Sequence, residues 1–258
     1  MSESPDPPKK PRARKPKAKP DAVPAPAPEP EPVARSRKRK LLRWARRAAL
    51  GVVGVFFALI LLFSFLPPPI NLYQMSEAVR LGGIEKEWVD LEDMAPAMAR
   101  SAVAAEDANF CNHWGFDMSA IREAIAEGSN RGASTISQQV AKNVFLWQGR
   151  SWLRKAMEGV LTPVVETFWS KRRILEVYLN VAEFDEGVFG VQAAARHYFG
   201  VDAKDLTPTQ AARLAAVLPD PKRRSASNPS DFVRKRTRAI LSGADTIKAD
   251  GRSACFEG

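Results

Sequence analysis

The sequence predicts a mainly α fold, and three observations carry that prediction. Apolar residues recur at helical spacing from Leu91 onward, hydroxyl, Asp, Gly and Pro residues punctuate those segments, and strand signals are weak. Ahead of this part the chain reads as an extended tail followed by one membrane-spanning helix.

The tail comes first. Residues 1–32 hold 11 of the 20 prolines and almost no large apolar side chains, so ordering them would cost entropy that nothing offsets. The basic, Pro-rich stretch 1–47 is therefore expected to be disordered. It carries 15 Lys+Arg against 5 Asp+Glu, which accounts for the whole formal charge of +10. The remaining residues are electrically balanced, so the folded part has no global attraction for nucleic acid.

Next, residues 48–66 read "AALGVVGVFFALILLFSFL", 19 residues without a charge. That is close to the roughly 20 that span a bilayer. It has no polar face to suit a buried core helix, and "FSFLPPP" makes a poor signal-peptide cleavage site. Basic residues crowd its N-terminal flank only, which predicts a cytoplasmic N-terminus and residues 67–258 on the outer side. Both cysteines, Cys111 and Cys255, fall there. In that compartment they can form a disulfide, and two free buried thiols are the alternative.

The helices of the outer part follow in order. "LEDMAPAMARSAVAAED" offers Asp93 as a cap and Pro96 in the first turn, ending near Asp107. "DMSAIREAIAEGS" runs from an Asp117 cap to a Gly128 stop. "STISQQVAKNV" opens on hydroxyls and carries Ile136, Val140 and Val144 on one stripe. "SWLRKAMEGVLTPVVETFW", with a bend expected at Pro163, and "KRRILEVYLNVAE" are apolar at helical spacing. "GVFGVQAAARHYFG" and "TPTQAARLAAVLPDP" complete the set, Pro208 near a start and Pro219 past an end.

Three constellations bear chemistry. In "AEDANFCNHWGFD", Glu106 and Asp107 end a helix, where unpaired carbonyls raise a carboxylate's pKa and suit it to act as a base. Adjacent helical positions point about 100° apart, so one carboxylate can face a cleft while the other holds the fold. Asp117 reads as a cap. His113 lacks the partners of a zinc site, since the only other histidine is His197 and no clustered cysteines appear. In "RGASTISQQVAKN", Ser134 and Thr135 open a helix whose free N–H groups can meet an anion, and Gln138 and Lys142 share a polar face. "RSWLRKAMEG" supplies Arg150, Arg154, Lys155 and Glu158; alone, Arg154 and Glu158 are an ordinary i, i+4 pair. Together, one base, no evident second acid and a cluster of cations suit displacement of a phosphorylated leaving group, which departs without a proton if cations stabilise it.

In this order the three constellations resemble the peptidoglycan glycosyltransferases of family 51. The family's E-D-x-x-F-x-x-H-x-G-x-D is met by Glu106, Asp107, Phe110, His113, Gly115 and Asp117. Its G-G-S-T-I-T-Q-Q-x-x-K-N is met by "GASTISQQVAKN", with Ala133 and Ser137 as departures, and its R-K-x-x-E by "RKAME". "KRRILEVYLN", "GVFGVQAAARHYFG" and "LTPTQAARLAAVLPDP" extend the match over residues 75–225.

The resemblance implies a lysozyme-like α fold with head and jaw lobes, anchored in the bacterial inner membrane with its catalytic domain in the periplasm. It implies polymerisation of lipid II into glycan strands. Glu106 would deprotonate the acceptor's 4-hydroxyl for an inverting displacement of undecaprenyl diphosphate. Lys142 and Arg150 would meet that diphosphate, with Ser134, Gln138, Arg154 and Lys155 completing the wall. Glu158 would orient the cations or a magnesium or manganese ion carried by the diphosphate, the protein alone supplying no metal site. Lipid II, nascent strands, membrane lipid and other wall-synthesis or division proteins are the implied partners. No S-x-x-K tetrapeptide occurs, so the likeness is to the monofunctional branch, without transpeptidase activity. A lysozyme-type glycan hydrolase is the alternative. The run Val144–Trp147 reads either as core or as a jaw element dipping into lipid.

Overall fold

The computed structural model describes residues 33–126, 128, 134–149 and 151–257, with side chains described from Arg39. Most of the predicted tail, Arg150, and Arg131, Gly132 and Ala133 of the second constellation lie outside the described residues. The chain divides between Gly51 and Val52. Before that point the described residues continue one helix, α1 (Val33–Phe63), and its side chains from Arg39 to Gly51 are exposed. Its Arg39–Phe63 portion is long and apolar enough to cross a membrane, its most apolar 18 residues having a mean hydropathy of 2.0. The helix stops at Phe63, so residues 64–66 of the predicted span form a turn.

The second unit is mainly helical. It comprises α2 (Leu72–Leu81), α3 (Pro96–Glu106), α4 (Met118–Ala126), α5 (Ile136–Phe145) and α6 (Trp152–Phe168), then α7 (Lys171–Val181), α8 (Val191–Phe199), α9 (Pro208–Val217), α10 (Asp231–Ala249) and the short α11 (Ala254–Glu257). A small sheet pairs β1 (Glu85–Lys86) parallel to β3 (Val188–Phe189), and β3 antiparallel to β2 (Glu183–Asp185). Strands of two or three residues show no alternation that a sequence pattern can register.

Helix α7 runs through the core. Ile174, Leu175, Val177, Tyr178 and Leu179 are buried, and Asn180 beside them is satisfied on both ends. Its Nδ2 donates to Val89 O and Glu176 O at 2.8 Å each, and its Oδ1 accepts from Val89 N at 2.9 Å. Helices α3, α9 and α10 pack on one another, and α5 lies between α6 and α7. Small residues permit the close approach: a Cβ on Gly243 of α10 would sit 3.2 Å from Ala104 Cβ of α3.

The caps follow the sequence signals with one correction. Thr207 caps α9 with Pro208 at its first position, and Ser151 and Ser170 cap α6 and α7. Asp93, expected to cap α3, instead belongs to a 3-10 turn over Leu91–Asp93; Ala95 is the N-cap, without a side-chain hydrogen bond. Pro96 fixes the first turn on its own, its missing N–H being one that no helical carbonyl would accept. Pro163 sits inside a continuous α6.

The end of α1 is built into this unit. Trp169 Nε1 donates to Ile60 O at 2.8 Å, and Arg173 donates to Phe63 O at 3.1 Å and Leu66 O at 2.6 Å. Phe145 packs its ring against Phe56, Phe63 and Trp169, with centroids 5.3, 6.2 and 6.0 Å away. The run Val144–Trp147 therefore divides between its two readings. Phe145 and the buried Leu146 are packing residues, while Trp147 is 40% exposed.

Candidate active site

The site forms where α3 ends. Glu106 is its last residue and Asp107 its C-cap, and the turn between them sends the two carboxylates to different places. Asp107 is buried and holds the fold. Its Oδ1 meets His113 Nε2 at 2.8 Å, and its Oδ2 accepts the Ile136 N–H at 3.0 Å. That N–H opens α5, so the anion-binding end of α5 expected from the sequence is met by the protein's own Asp107. His113 is thereby a support for Asp107, and among the described residues its buried Nδ1 has no hydrogen-bond partner.

Glu106 turns into a cleft. Its Oε2 accepts from Gln139 Nε2 at 3.0 Å, and its Oε1 is 3.8 Å from Arg236 Nη2. The side chain is only 12% exposed. Burial raises its pKa above the ordinary carboxylate value; the Gln139 hydrogen bond and the Arg236 and Arg224 charges oppose that shift, and Asp107 adds to it. The direction agrees with the helix-end expectation, but burial is the leading cause.

Two hollows meet at Ala105, Glu106 and Ser134. One is lined by Asp107, Asn109, Asp117, Glu123 and Thr135, and the other by Gln139, Lys142, Pro219, Arg224 and Arg236. The first is acidic and the second cationic, with Glu106 on the border. Lys142 is largely buried, which lowers its pKa; Glu158 and Glu106 pull it back up, while Arg154 and Lys155 push it further down.

Glu158 is buried on α6 and does not reach open solvent. It pairs with Arg154 Nη1 at 2.8 Å and with Lys155 Nζ, so both its oxygens are engaged by cations. The i, i+4 pair read from the sequence is present, with Lys155 as a second partner. A carboxylate so occupied does not fit a divalent ion beside it, and among the described residues no three His, Cys, Asp or Glu side chains converge as metal ligands.

Gln138, expected on the polar face with Lys142, is instead used in a cap, and Gln139, which the sequence did not single out, takes the place beside Glu106. Gln138 closes a capping box: its Oε1 accepts the Thr135 N–H at 3.0 Å, and its own N–H donates to Thr135 Oγ1 at 3.2 Å. Gln139 is the one that faces Glu106. The T-x-x-Q spacing was a signal for this. Thr135 Oγ1 also donates to Gly115 O at 2.7 Å. Gly115 has φ +84°, and a Cβ there would lie 2.7 Å from Thr162 Cγ2, so only glycine lets the loop pass α6. Phe110 is fully buried beneath the loop.

Asp117 caps α4. Its Oδ1 accepts the Ser119 and Ala120 N–H groups at 2.9 and 3.0 Å, and its Oδ2 accepts from Asn109 Nδ2 at 2.9 Å. Burial pulls its pKa up, but these bonds and the Ser119 hydroxyl outweigh it and bring the value from 3.8 down to about 2. A depressed folded-state pKa adds stability above the unfolded value, lost as pH falls through the folded one. Asp117→Ala is therefore expected to cost about 1–2 kcal/mol at neutral pH. Between pH 3.8 and about 2 the difference from wild type should shrink, as urea melts at several pH values would read.

Cys111 and Cys255 are joined by a disulfide. Arg224 and Arg236, which the sequence reading did not single out, arrive from the segment after α9 and from α10. Arg236 Nη2 donates to Ala105 O at 3.2 Å. Arg224 Nη1 donates to Ala216 O at 3.0 Å and its guanidinium lies 5.0 Å from the Phe232 ring centroid.

The family profile described as Transglycosylase matches residues 74–245. The chain is 58% identical over 214 residues to a biosynthetic peptidoglycan transglycosylase of Jannaschia sp. (strain CCS1), covering 83% of this chain and 90% of that relative. It is 48% identical over 223 residues to one of Cronobacter sakazakii, covering 82% and 92%. Against one of Caulobacter vibrioides it is 44% identical over 200 residues, covering 76% and 87%.

Proposed function

Because the chain belongs to the transglycosylase family and is a peptidoglycan glycosyltransferase, we propose that it polymerises lipid II, with Glu106 as the base. The observation that carries the reading is the position of Glu106, a buried carboxylate of raised pKa on the border between an acidic and a cationic hollow. The acceptor sugar enters the first hollow and presents its 4-hydroxyl to Glu106. Glu106 takes that proton as the oxygen attacks the donor's anomeric carbon. The bond from that carbon to the diphosphate breaks, its electron pair leaves on the diphosphate, and the configuration inverts.

Lys142, with Arg154 and Lys155 beyond it, receives the charge on the leaving group. Arg150 belongs to this wall by its place in the motif. Glu158 is a positioning residue that holds Arg154 and Lys155. Ser134 lines both hollows and suits contact with either sugar. Gln139 and Arg236 hold the Glu106 carboxylate in place, Arg236 also holding the last turn of α3. Gln138 shapes the wall through its cap.

Among the described residues one helix, at the N-terminal side, is apolar and long enough to cross a membrane, which is consistent with a single-pass anchor. On the proposed reading residues 1–47 are cytoplasmic and residues 67–258 are the periplasmic catalytic domain. The exposed apolar face of α6 supports contact with lipid: Trp152, Ala156 and Val160 recur at i, i+4, i+8, and Phe168 lies 6.2 Å from Phe57 of α1, centroid to centroid. Changing Trp152 and Leu153 to Ser should lower kcat/KM on bilayer-embedded lipid II by more than about tenfold, since burying one such side chain contributes about 1.5–3 kcal/mol. Kinetics on a soluble short-chain donor should stay unchanged.

The test of the function supplies purified full chain with lipid II. Polymer and stoichiometric release of undecaprenyl diphosphate are expected. Cleavage of preformed wall without polymer would overturn the reading.

A further inference from the structure

The loop from Asp107 to Asn112 leaves Glu106 and must be held for that carboxylate to stay on the border of the two hollows. One side of it is tied to α4 and α5 through Asp107 and Asn109. The other side is gripped by a segment about 140 residues later in the chain. Arg252 Nη1 donates to Ala108 O at 2.9 Å, Phe256 is buried against Phe110 with ring centroids 6.5 Å apart, and Cys255 is bonded to Cys111. The segment is in turn fixed to its neighbours. Arg172 of α7 donates to Phe256 O at 3.2 Å, and Arg100 of α3 pairs with Glu257 at 2.7 Å. Three successive grips, on Ala108, Phe110 and Cys111, fall within five residues of Glu106.

We propose that the segment Arg252–Glu257 is a positioning clamp on the loop that carries Glu106, and that the Cys111–Cys255 disulfide is its latch. With the latch closed, the loop has one arrangement. With it open, Arg252 and Phe256 must hold the loop without a covalent tie, and Glu106 samples positions outside reach of the acceptor hydroxyl. Both cysteines are part-exposed, so a dithiol reductant can reach the bond. One thiolate of the dithiol attacks one sulfur to give a mixed disulfide, and its second thiol then closes on the first. The dithiol is oxidised to a disulfide, and Cys111 and Cys255 each leave as a thiol with one of its protons. The inference rests on Glu106 as the base only in its kinetic part; the hold on the loop stands apart from it.

The test compares the full chain in detergent, oxidised and after reduction with dithiothreitol and alkylation, at temperatures where both are folded. Reduction should lower kcat about tenfold, within the roughly 10²-fold that a small misplacement of a reacting group costs. KM should not change, and amide exchange should quicken at Ala108–Asn112. In the oxidised protein, Arg252→Met should lower kcat several-fold and Arg252→Lys should restore it. A reduced, folded enzyme with unchanged kcat and unchanged exchange in this loop would overturn the clamp. If reduction unfolds the protein, an Arg252→Met variant with full kcat would do the same. Faster exchange in the loop together with a fully active Glu106→Gln would instead uphold the clamp and remove the base assignment.

Discussion

Glu106→Gln is expected to abolish most of the polymerase activity, lowering kcat by about 10²–10⁴-fold, the range of a positioned general base. The variant keeps the shape of the side chain and a group that can meet Gln139, so substrate binding and KM should change little. Its stability gives an independent check. Burial raises the pKa of Glu106, so the folded state holds this proton more tightly than the unfolded chain does. Such a group favours folding at low pH and loses that contribution as pH rises through its folded pKa. A neutral amide removes the penalty of burying the charge, and the melting temperature at neutral pH should equal or exceed that of wild type. Lost activity with retained or increased stability separates a base from a structural carboxylate, because replacing the buried Asp107 should lower stability.

Lys142→Met is expected to lower kcat by about 10²–10³-fold, the cost of removing one preorganised group from developing negative charge. The cation lies in the same hollow as Glu106, and burial has already stripped much of its water. Charge–charge attraction to a departing diphosphate is strong in that setting. Methionine preserves the aliphatic stem and deletes the charge, so the helix position in α5 and the packing of the stem survive. Melting temperature should not fall, since a buried cation that loses its solvation does not favour folding. Steady-state kinetics on lipid II, with the leaving group quantified, read the effect. A loss confined to KM would mean that Lys142 binds the ground state and the transition state equally.

Much of this site was legible in the sequence because its parts are local. Glu106, Asp107, Phe110, His113, Gly115 and Asp117 lie on one turn and its flanks, and Asp117 caps α4 as its place before "MSAI" suggested. The separation of the two carboxylates was expected from helix geometry, whereas in the structure Asp107 lies just past the helix as its C-cap, and that turn sends one to the cleft and the other to α5. What could not be read is non-local. Arg224 and Arg236 are more than a hundred residues from Glu106 and sit in basic runs whose other members face solvent, so no spacing marks them. That Asp107 would fill the N-terminus of α5 depends on how two helices meet. Gln139 was missed for a different reason: the neighbouring Gln138 looked like the polar-face residue, although Thr135 three residues earlier identifies it as half of a capping box. Asp93 was misread because a 3-10 turn and a helix start share the same residue preferences. Phe145, apolar in a run that suited lipid, is held by aromatic partners from α1 and from the residue after α6 that sequence distance conceals.

The most direct measurement of the central claim is the pH dependence of undecaprenyl diphosphate release at saturating lipid II, for wild type and Glu106→Gln side by side. Wild type should show an acid limb whose midpoint lies above the ordinary glutamate value of 4.5, because the buried Glu106 must lose its proton to act. The residual activity of Glu106→Gln should lack that limb. The same limb in both proteins, or a wild-type midpoint at the ordinary value, would contradict the account.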